Sequence, residues 1–319
     1  MYRYHLFGQT FASDIEFPEL PAAPSGEARW TLTSTSAAPS TDPLPLLGGE
    51  PVMDGVGVSL RGALARYRLA YDDNGTFEIF DGGRTIVWHR PSGGAPDLVG
   101  VRSDVLGRVL AVALHAEHVL TLHGSGVTLG ARGVAFLAPK LHGKSTTAAA
   151  LVRAGAQLLG DDILAVTPGA KPTVLPGIPA VHLWRDSVAQ LHQAGSGEDA
   201  TRKQRVDWEA LGTRAAEPVP LDAVYLLGPV RAGPEVRVTR ARMGAVPAAL
   251  ALLGQAKIGA LLGPTNAEAL LDRCARLADA VPVYRLTVPR ELDRLDELVR
   301  RLGEWHDAPM HVGVEGSAG

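Results

Sequence analysis

A single cysteine, Cys274, stands in 319 residues, which excludes an internal disulfide and any zinc site built from several thiolates. Long hydrophobic runs are missing as well. Apolar stretches such as Val109 to Leu114 fall far short of the length that spans a bilayer, so no membrane partner is expected. Nor is there an excess of positive charge. The formal net charge of -3 argues against a chain whose main work is gripping nucleic acid, although a local basic patch is compatible with that total. The opening Met1-Tyr2-Arg3-Tyr4-His5 runs straight into alternating apolar and polar residues and lacks a signal-peptide core, which predicts a cytoplasmic protein. What is present is a globular balance, 46% hydrophobic and 20% charged, in a chain long enough for one large domain or two modest ones.

Two regimes follow one another along the chain. Up to about Gly100 the pattern is one of short strands broken by turns. Arg29 to Thr33, Leu64 to Tyr71, Thr76 to Phe80 and Thr85 to His89 carry period-two or β-branched and aromatic patterns. Asp72-Asp73-Asn74-Gly75 and Asp81-Gly82-Gly83 between them are turn chemistry, because Asn and Gly tolerate positive φ, and they predict two consecutive hairpins. The Pro-, Gly- and Ser-rich stretch from Ala37 to Gly57 predicts a loop. After Gly100 helices and strands alternate. Ser103 is the expected N-cap of a helix reaching about His118. Strands are expected at Val119–Leu122, Gly133–Ala138, Gln157–Leu159, Ala223–Leu227 and Val283–Val288, with helices at Lys144–Ala154, Ala267–Ala278 and Leu292–Leu302. That rhythm predicts an α/β core with helices packed on a sheet. The expected organisation is a β-rich region over 1–100, a nucleotide-binding catalytic domain over 101–305 and a loose tail over 306–319.

Gly133-Val134-Ala135-Phe136-Leu137 has the look of a buried strand. It leads into Ala138-Pro139-Lys140-Leu141-His142-Gly143-Lys144-Ser145 and then, from Thr146 through Val152, into a good helix. This is the spacing of a phosphate loop, with Ala in place of the usual first Gly. Backbone N–H groups of such a loop and of the helix N-terminus point at a phosphate, and the helix dipole favours its charge. Gly143 lets the backbone come close, Lys144 reaches the β- and γ-phosphates, and the Ser145 hydroxyl takes a position on Mg2+. Lys140, Leu141 and His142 replace the small residues common in such loops. Lys140 either assists the phosphates or points to solvent.

Downstream, Ala156-Gln157-Leu158-Leu159-Gly160 ends in the consecutive acids Asp161 and Asp162. Two adjacent carboxylates can divide the labour of phosphoryl transfer, one accepting the proton of the attacking hydroxyl and the other helping to hold Mg2+. The plainer alternative is that the pair only opens a turn. His123, in Leu122-His123-Gly124-Ser125-Gly126, sits at a strand end just before the phosphate-loop strand; taken alone, it is as compatible with a structural histidine.

Taken in order, the His-Gly motif, strand, phosphate loop, helix, Arg153-to-Ala156 turn and Asp-Asp pair resemble the catalytic domain of the HPr kinase/phosphorylase family. The resemblance is good from about Leu120 to Val166 and weaker through Leu175-Pro176-Gly177-Ile178-Pro179 and His182-Leu183-Trp184-Arg185-Asp186. Tyr4-His5-Leu6-Phe7-Gly8 and Pro18-Glu19-Leu20-Pro21 look like the start of the divergent members that lack the usual N-terminal domain. Some of those act on serine hydroxyls of small molecules or of ribosomal peptide precursors, including lasso peptides.

The resemblance implies an α/β fold with a P-loop core akin to phosphoenolpyruvate carboxykinase, preceded by a small β-rich region, and a kinase using ATP and Mg2+. It implies Asp161 as catalytic base, oriented by His123, and Asp162 working with Ser145 around the metal, although the two acids can exchange roles. Lys144 would bind phosphates. Lys203 and Arg205 resemble a basic patch that stabilises charge on the transferring group; a solvated loop is the alternative. The acceptor is expected to be a hydroxyl-bearing peptide or small molecule. The family's signature for HPr recognition and phosphorolysis is missing, so HPr itself is not the expected substrate. A nucleotide hydrolase or phosphatase, and a nucleotide-binding regulatory protein, are the competing readings, and homo-oligomerisation stays open. The region before Gly100 either recognises the acceptor or mediates assembly, or only covers the core sheet.

Overall fold

The computed structural model describes residues 1–311 except 54, 94–95, 141, 184, 192–203, 208–211, 229–232 and 290. Its first eight strands are β1 (Tyr2–Leu6), β2 (Gln9–Ser13), β3 (Trp30–Thr35), β4 (Leu46–Met53), β5 (Val56–Ala63), β6 (Arg66–Tyr71), β7 (Gly75–Phe80) and β8 (Thr85–His89). They form one sheet in the order β1-β2-β3-β8-β7-β6-β5-β4. The expected turns at Asp72–Gly75 and Asp81–Gly83 do link β6 to β7 and β7 to β8, both antiparallel pairs. Alternate residues such as Leu69, Phe77, Ile79, Ile86 and Trp88 face inward and are fully buried, the period-two rule of a half-covered sheet.

The loop expected over Ala37 to Gly57 is in part a strand. Leu46–Met53 pairs with β5 at the outer edge of the sheet, with register shifts at Leu46/Gly48 and Pro51/Met53. An edge strand tolerates Pro51, whose missing N–H need not enter a ladder, so its composition imitates a loop. Gly48 is required here by close approach. A Cβ at that position would lie 2.6 Å from the Ala260 carbonyl oxygen of the short Gly259–Leu262 helix.

A long helical segment follows: α1 (Leu98–Asp104), a π turn over Val105–Val109, and α2 (Leu110–Ala116). Its N-cap is Asp97, whose side chain accepts from the Val99 N–H at 3.0 Å, not Ser103, which lies inside α1. The helix therefore begins six residues, more than one and a half turns, earlier than expected.

A second sheet carries the rest. Its strands are β9 (Leu120–Leu122), β10 (Gly124–Leu129), β11 (Arg132–Leu137), β12 (Gln157–Asp161), β13 (Leu164–Thr167), β14 (Thr173–Leu175), β17 (Thr213–Arg214), β18 (Val219–Leu227), β19 (Thr239–Arg242) and β20 (Val283–Thr287). A separate ribbon pairs β15 (Ala180–Leu183) with β16 (Gln204–Asp207). The main path runs β17-β12-β10-β11-β18-β14-β13-β9, with β20 beside β18 and β19 beside β20. Helix α3 (Lys144–Arg153) follows β11. The expected helices near the C-terminal end occupy Ala267–Ala280 and Leu295–Trp305. A further helix, Ala245–Leu253, was not expected.

Both faces of this sheet are covered, which explains the unbroken apolar runs of β11 and β18. Val134, Phe136, Ala223 and Tyr225 point into a core shared with α3 and the Leu295–Trp305 helix. Ala135, Leu137 and Val224 point the other way, into a core that also takes in Phe11, Trp30, Trp88, Val101 and Leu110. The second core therefore continues across the change of sheet near Gly100. Arg102–Glu19 at 2.8 Å and Arg29–Glu117 at 3.0 Å add ion pairs across the same junction.

The start of the expected loose tail is packed. His306 lies against Tyr225, its Nε2 2.9 Å from the tyrosine hydroxyl, and the His311 N–H donates to the Ala154 carbonyl at 2.9 Å. Residues 312–319 lie outside the described residues. Among the described residues no helix is long and apolar enough to cross a membrane.

Candidate functional site

The stretch from Ala138 to Ser145 joins the buried end of β11 to α3. Ala138 is buried, Pro139 and Lys140 are exposed, and Leu141 lies outside the described residues. Gly143 occupies the left-handed region at φ 84°, ψ 9°, a conformation that costs a residue with a Cβ about 1–2 kcal/mol. It serves as the N-cap of α3 and offers no side chain of its own to the first N–H groups, which lie at the positive end of the helix dipole. His142 Nδ1 lies 2.8 Å from the Lys140 carbonyl and braces the turn.

Lys144 follows at the first position of α3. It is 7% exposed, and its Nζ donates to the Ala138 carbonyl at 2.8 Å and the Pro139 carbonyl at 3.1 Å. The ammonium is thus folded onto the loop that it follows, rather than projecting into solvent. Thr146, also buried, shares a 3.0 Å hydrogen bond with Ser187 of the Arg185–Gln190 helix and ties the first turn of α3 to it.

The acid pair reaches this loop through an intermediary. β12 is not the neighbour of β11; β10 lies between them, antiparallel to both. In that register Ser125 stands opposite Asp161 on one side and Phe136 on the other, so one small residue spans the gap. Asp161 Oδ1 accepts from Ser145 Oγ at 2.9 Å and from Ser125 Oγ, while Oδ2 accepts from the His182 N–H at 3.0 Å. Asp161 is 5% exposed, and these partners are all neutral. A buried carboxylate surrounded by neutral oxygen and N–H groups is a setting that a hard divalent cation suits.

Asp162 is turned away from its neighbour. It holds φ 71°, an uncommon conformation for a residue with a side chain, and this bends the chain between β12 and β13. One consequence is that consecutive carboxylates face different partners. Asp162 Oδ1 lies 3.0 Å from His123 Nδ1, and Oδ2 lies 2.5 Å from Lys257 Nζ. Burial by itself would raise the Asp162 carboxyl. The hydrogen bond from His123 and the charge and hydrogen bond of Lys257 outweigh it and hold the group well below the usual carboxylate range.

Of the two arrangements that the resemblance left open, the contacts follow the exchanged one: Ser145 meets Asp161, and His123 meets Asp162. The left-handed backbone at Asp162, which points consecutive side chains to different partners, is the physical reason. Arg205 sits in β16 directly across from His182, and its guanidinium donates to the Glu19 carbonyl at 3.4 Å, so it flanks the Asp161 ribbon from the N-terminal side. Lys203 lies outside the described residues.

Ser125, His182 and Lys257 are missing from the residues read off the sequence. Ser125 lay beside His123 in the quoted string, and its small side chain within a strand was the available signal. His182 contributes only a backbone N–H, which has no side-chain signature. Lys257 is brought in by long-range pairing: Leu122 and Ala256 form a β-bridge, His123 N–H donates to the Gln255 carbonyl at 2.7 Å, and Lys257 N–H donates to the Thr121 carbonyl at 2.9 Å. No cluster of three or more His, Cys, Asp or Glu suited to a metal ion occurs among the described residues.

No protein-family model matches this chain, and no curated protein matches its sequence. Among solved structures it is similar to the Hpr(Ser) kinase/phosphatase from Coxiella burnetii, at 13% sequence identity and a TM-score of 0.32, covering 58% of this chain and 96% of that one. That is a distant likeness.

Proposed function

We propose that this chain is an ATP- and Mg2+-dependent phosphotransferase that phosphorylates a hydroxyl group, the acceptor being a serine of a peptide or a small metabolite. The observation that carries the reading is the convergence of Ser145 Oγ on Asp161 at the start of α3, with the next residue, Asp162, turned onto His123 and Lys257 by a left-handed bend. Strained backbone of this kind is concentrated where geometry serves chemistry.

In this reading the Ala138–Ser145 segment is a phosphate loop. Backbone N–H groups from Gly143 to Thr146 would cradle the β-phosphate, and Lys144 would exchange its two carbonyl partners for phosphate oxygens. Mg2+ would be held by Ser145 Oγ and the Asp161 carboxylate and, when bound, would neutralise charge on the β- and γ-phosphates. Two protein oxygens match a metal that usually keeps waters and substrate phosphates as its other ligands. Asp162 takes the acceptor side. The acceptor oxygen forms a bond to the γ-phosphorus, the bond to the β–γ bridging oxygen breaks to leave ADP, and the hydroxyl proton passes to Asp162. A carboxylate held far down is a weak base, so its main contribution is to orient the hydroxyl, as suits a loose transition state in which the proton leaves late. His123 and Lys257 fix its position.

Incubation with γ-labelled ATP, Mg2+ and serine-containing peptides or free serine tests the proposal. Label on the acceptor is the expected result. Label only in free phosphate makes the chain a hydrolase, and ATP bound without turnover makes it a binding protein. Absence of Mg2+-dependent ATP binding in calorimetry removes the reading altogether.

A further inference from the structure

Away from the loop and the carboxylates, a cleft of about 280 Å3 opens between the ends of β9 and β13 and the Ala267–Ala280 helix. Leu120, Val166, Pro172 and Leu277 give it apolar walls, and Arg273 and Arg276 bring two guanidinium groups to it.

These two cations are differently placed. Arg276 pairs with Asp272 one turn earlier on the same helix, at 2.9 Å. Arg273 has no carboxylate partner among the described residues. Its guanidinium donates to His115 Nδ1 at 3.2 Å and to His118 Nδ1 at 3.1 Å. A ring nitrogen that accepts carries no proton, so these imidazoles orient Arg273 without offsetting its charge. Burial, and then the charge of Arg273, presses His115 down to about 4. Burial also lowers Arg273 itself from its ordinary value. The Asp272 carboxylate also lines the cleft and its charge acts on Arg273 as well, so the two guanidiniums and this carboxylate leave a net single positive charge, with N–H groups left over on the Arg273 fork, against apolar walls.

We propose that this cleft binds a small organic carboxylate, a single negative charge on an apolar body, and that its occupation acts on the His123–Asp162 pair. One charge matches one fork bidentately. A phosphate dianion would bring a second charge and a larger hydration shell against the apolar walls, where the second guanidinium, Arg276, is already paired with Asp272. The link to His123 and Asp162 lies in two strands. β9 and β13 run antiparallel, with Leu120 opposite Val166 at the cleft and Leu122 opposite Leu164 at the other end. His123 directly follows β9, and Asp162 comes just before β13. At about 3.3 Å per residue, the cleft and the ion pair are roughly 10 Å apart along one short ribbon.

The test uses the full chain, with benzoate and hexanoate as probes and benzamide as the neutral isostere, and follows the imidazole NMR signals of His115, His118 and His123. The expected result is saturable movement of the His115 and His118 signals with benzoate and hexanoate, with His123 moving at the same midpoint. Benzamide should bind at least about tenfold more weakly, as should benzoate to Arg273→Lys, which keeps the charge and loses the fork. Failure of both carboxylates to saturate, equal binding of benzamide, or undiminished binding to Arg273→Lys overturns the site. Saturation at His115 and His118 with an unmoved His123 overturns the coupling. None of these readings depends on nucleotide turnover, so their failure is distinct from failure of the phosphotransferase assignment.

Discussion

Replacing Lys257 with Met should move the titration of a carboxyl group that lies far from it in sequence. The Lys257 ammonium sits 2.5 Å from Asp162 Oδ2, and methionine keeps the length of the side chain while removing its charge. Two unit charges about 4 Å apart interact by ~1 kcal/mol in water and by ~4 kcal/mol at an effective dielectric of 20. The Asp162 side chain is 44% exposed, so solvent screening places the loss in the lower half of that range. A loss of ~1–2 kcal/mol corresponds to an upward movement of about one pKa unit. The sign for stability follows. A carboxyl held low in the folded state contributes stability that is present above its unfolded value of about 3.9 and lost as pH falls through its folded value. Wild type and Lys257→Met should therefore differ by ~1–2 kcal/mol at neutral pH and on down through the ordinary carboxylate range, and the gap should close only as the pH falls through the lowered folded values of Asp162. Carboxyl-carbon NMR titration gives the midpoint, and urea unfolding across pH gives the gap. An unmoved Asp162 midpoint, or equal stability of the two proteins at neutral pH, would refute the electrostatic role of Lys257.

Lys144→Met should lose most ATP·Mg2+ affinity in calorimetry and also unfold more readily, by ~1–3 kcal/mol, because the Ala138 and Pro139 carbonyls lose their donor; unchanged affinity in the folded variant would remove Lys144 from phosphate binding. Asp162→Asn should lower turnover by roughly 10²–10⁴ with little change in ATP affinity, whereas Asp161→Asn should weaken Mg2+-dependent binding itself. The opposite pattern would return the base to Asp161. A chain beginning at Val101 should be insoluble, since Val101, Val105 and Leu110 share one core with Trp30 and Trp88; a soluble fragment that binds ATP would show that the N-terminal sheet is separable.

The parts legible in the sequence were those governed by local periodicity. The β11–loop–α3 unit stands within a residue or two of its expected bounds because an apolar run, Gly143 and a helix-forming stretch each act over a few residues. The hairpins around Gly75 and Gly82 were legible for the same reason. β4 was not, since an edge position relaxes the rule that excludes Pro and Gly. At the candidate site, Ser145, Asp161, Asp162 and His123 were all picked out, yet who meets whom was not. That depends on one φ angle at Asp162 and on β10 lying between β11 and β12, and neither leaves a mark in composition. Lys257 belongs to the same class, being placed by a bridge between Leu122 and Ala256.

The meeting of β4 with the Gly259–Leu262 helix has a consequence for how this chain can diverge. Gly48 admits no Cβ because of the Ala260 carbonyl, and a Cβ on Gly263 would in turn run into the Leu47 carbonyl. The two segments interlock backbone to backbone, and Lys257 stands only a few residues before the second. In a set of related chains, residues around 47–49 and 256–263 should therefore change together or not at all. An inserted residue in either segment would be tolerated only with a matching change in the other. The edge strand, whose composition resembles the most permissive part of the molecule, would then be among its most constrained.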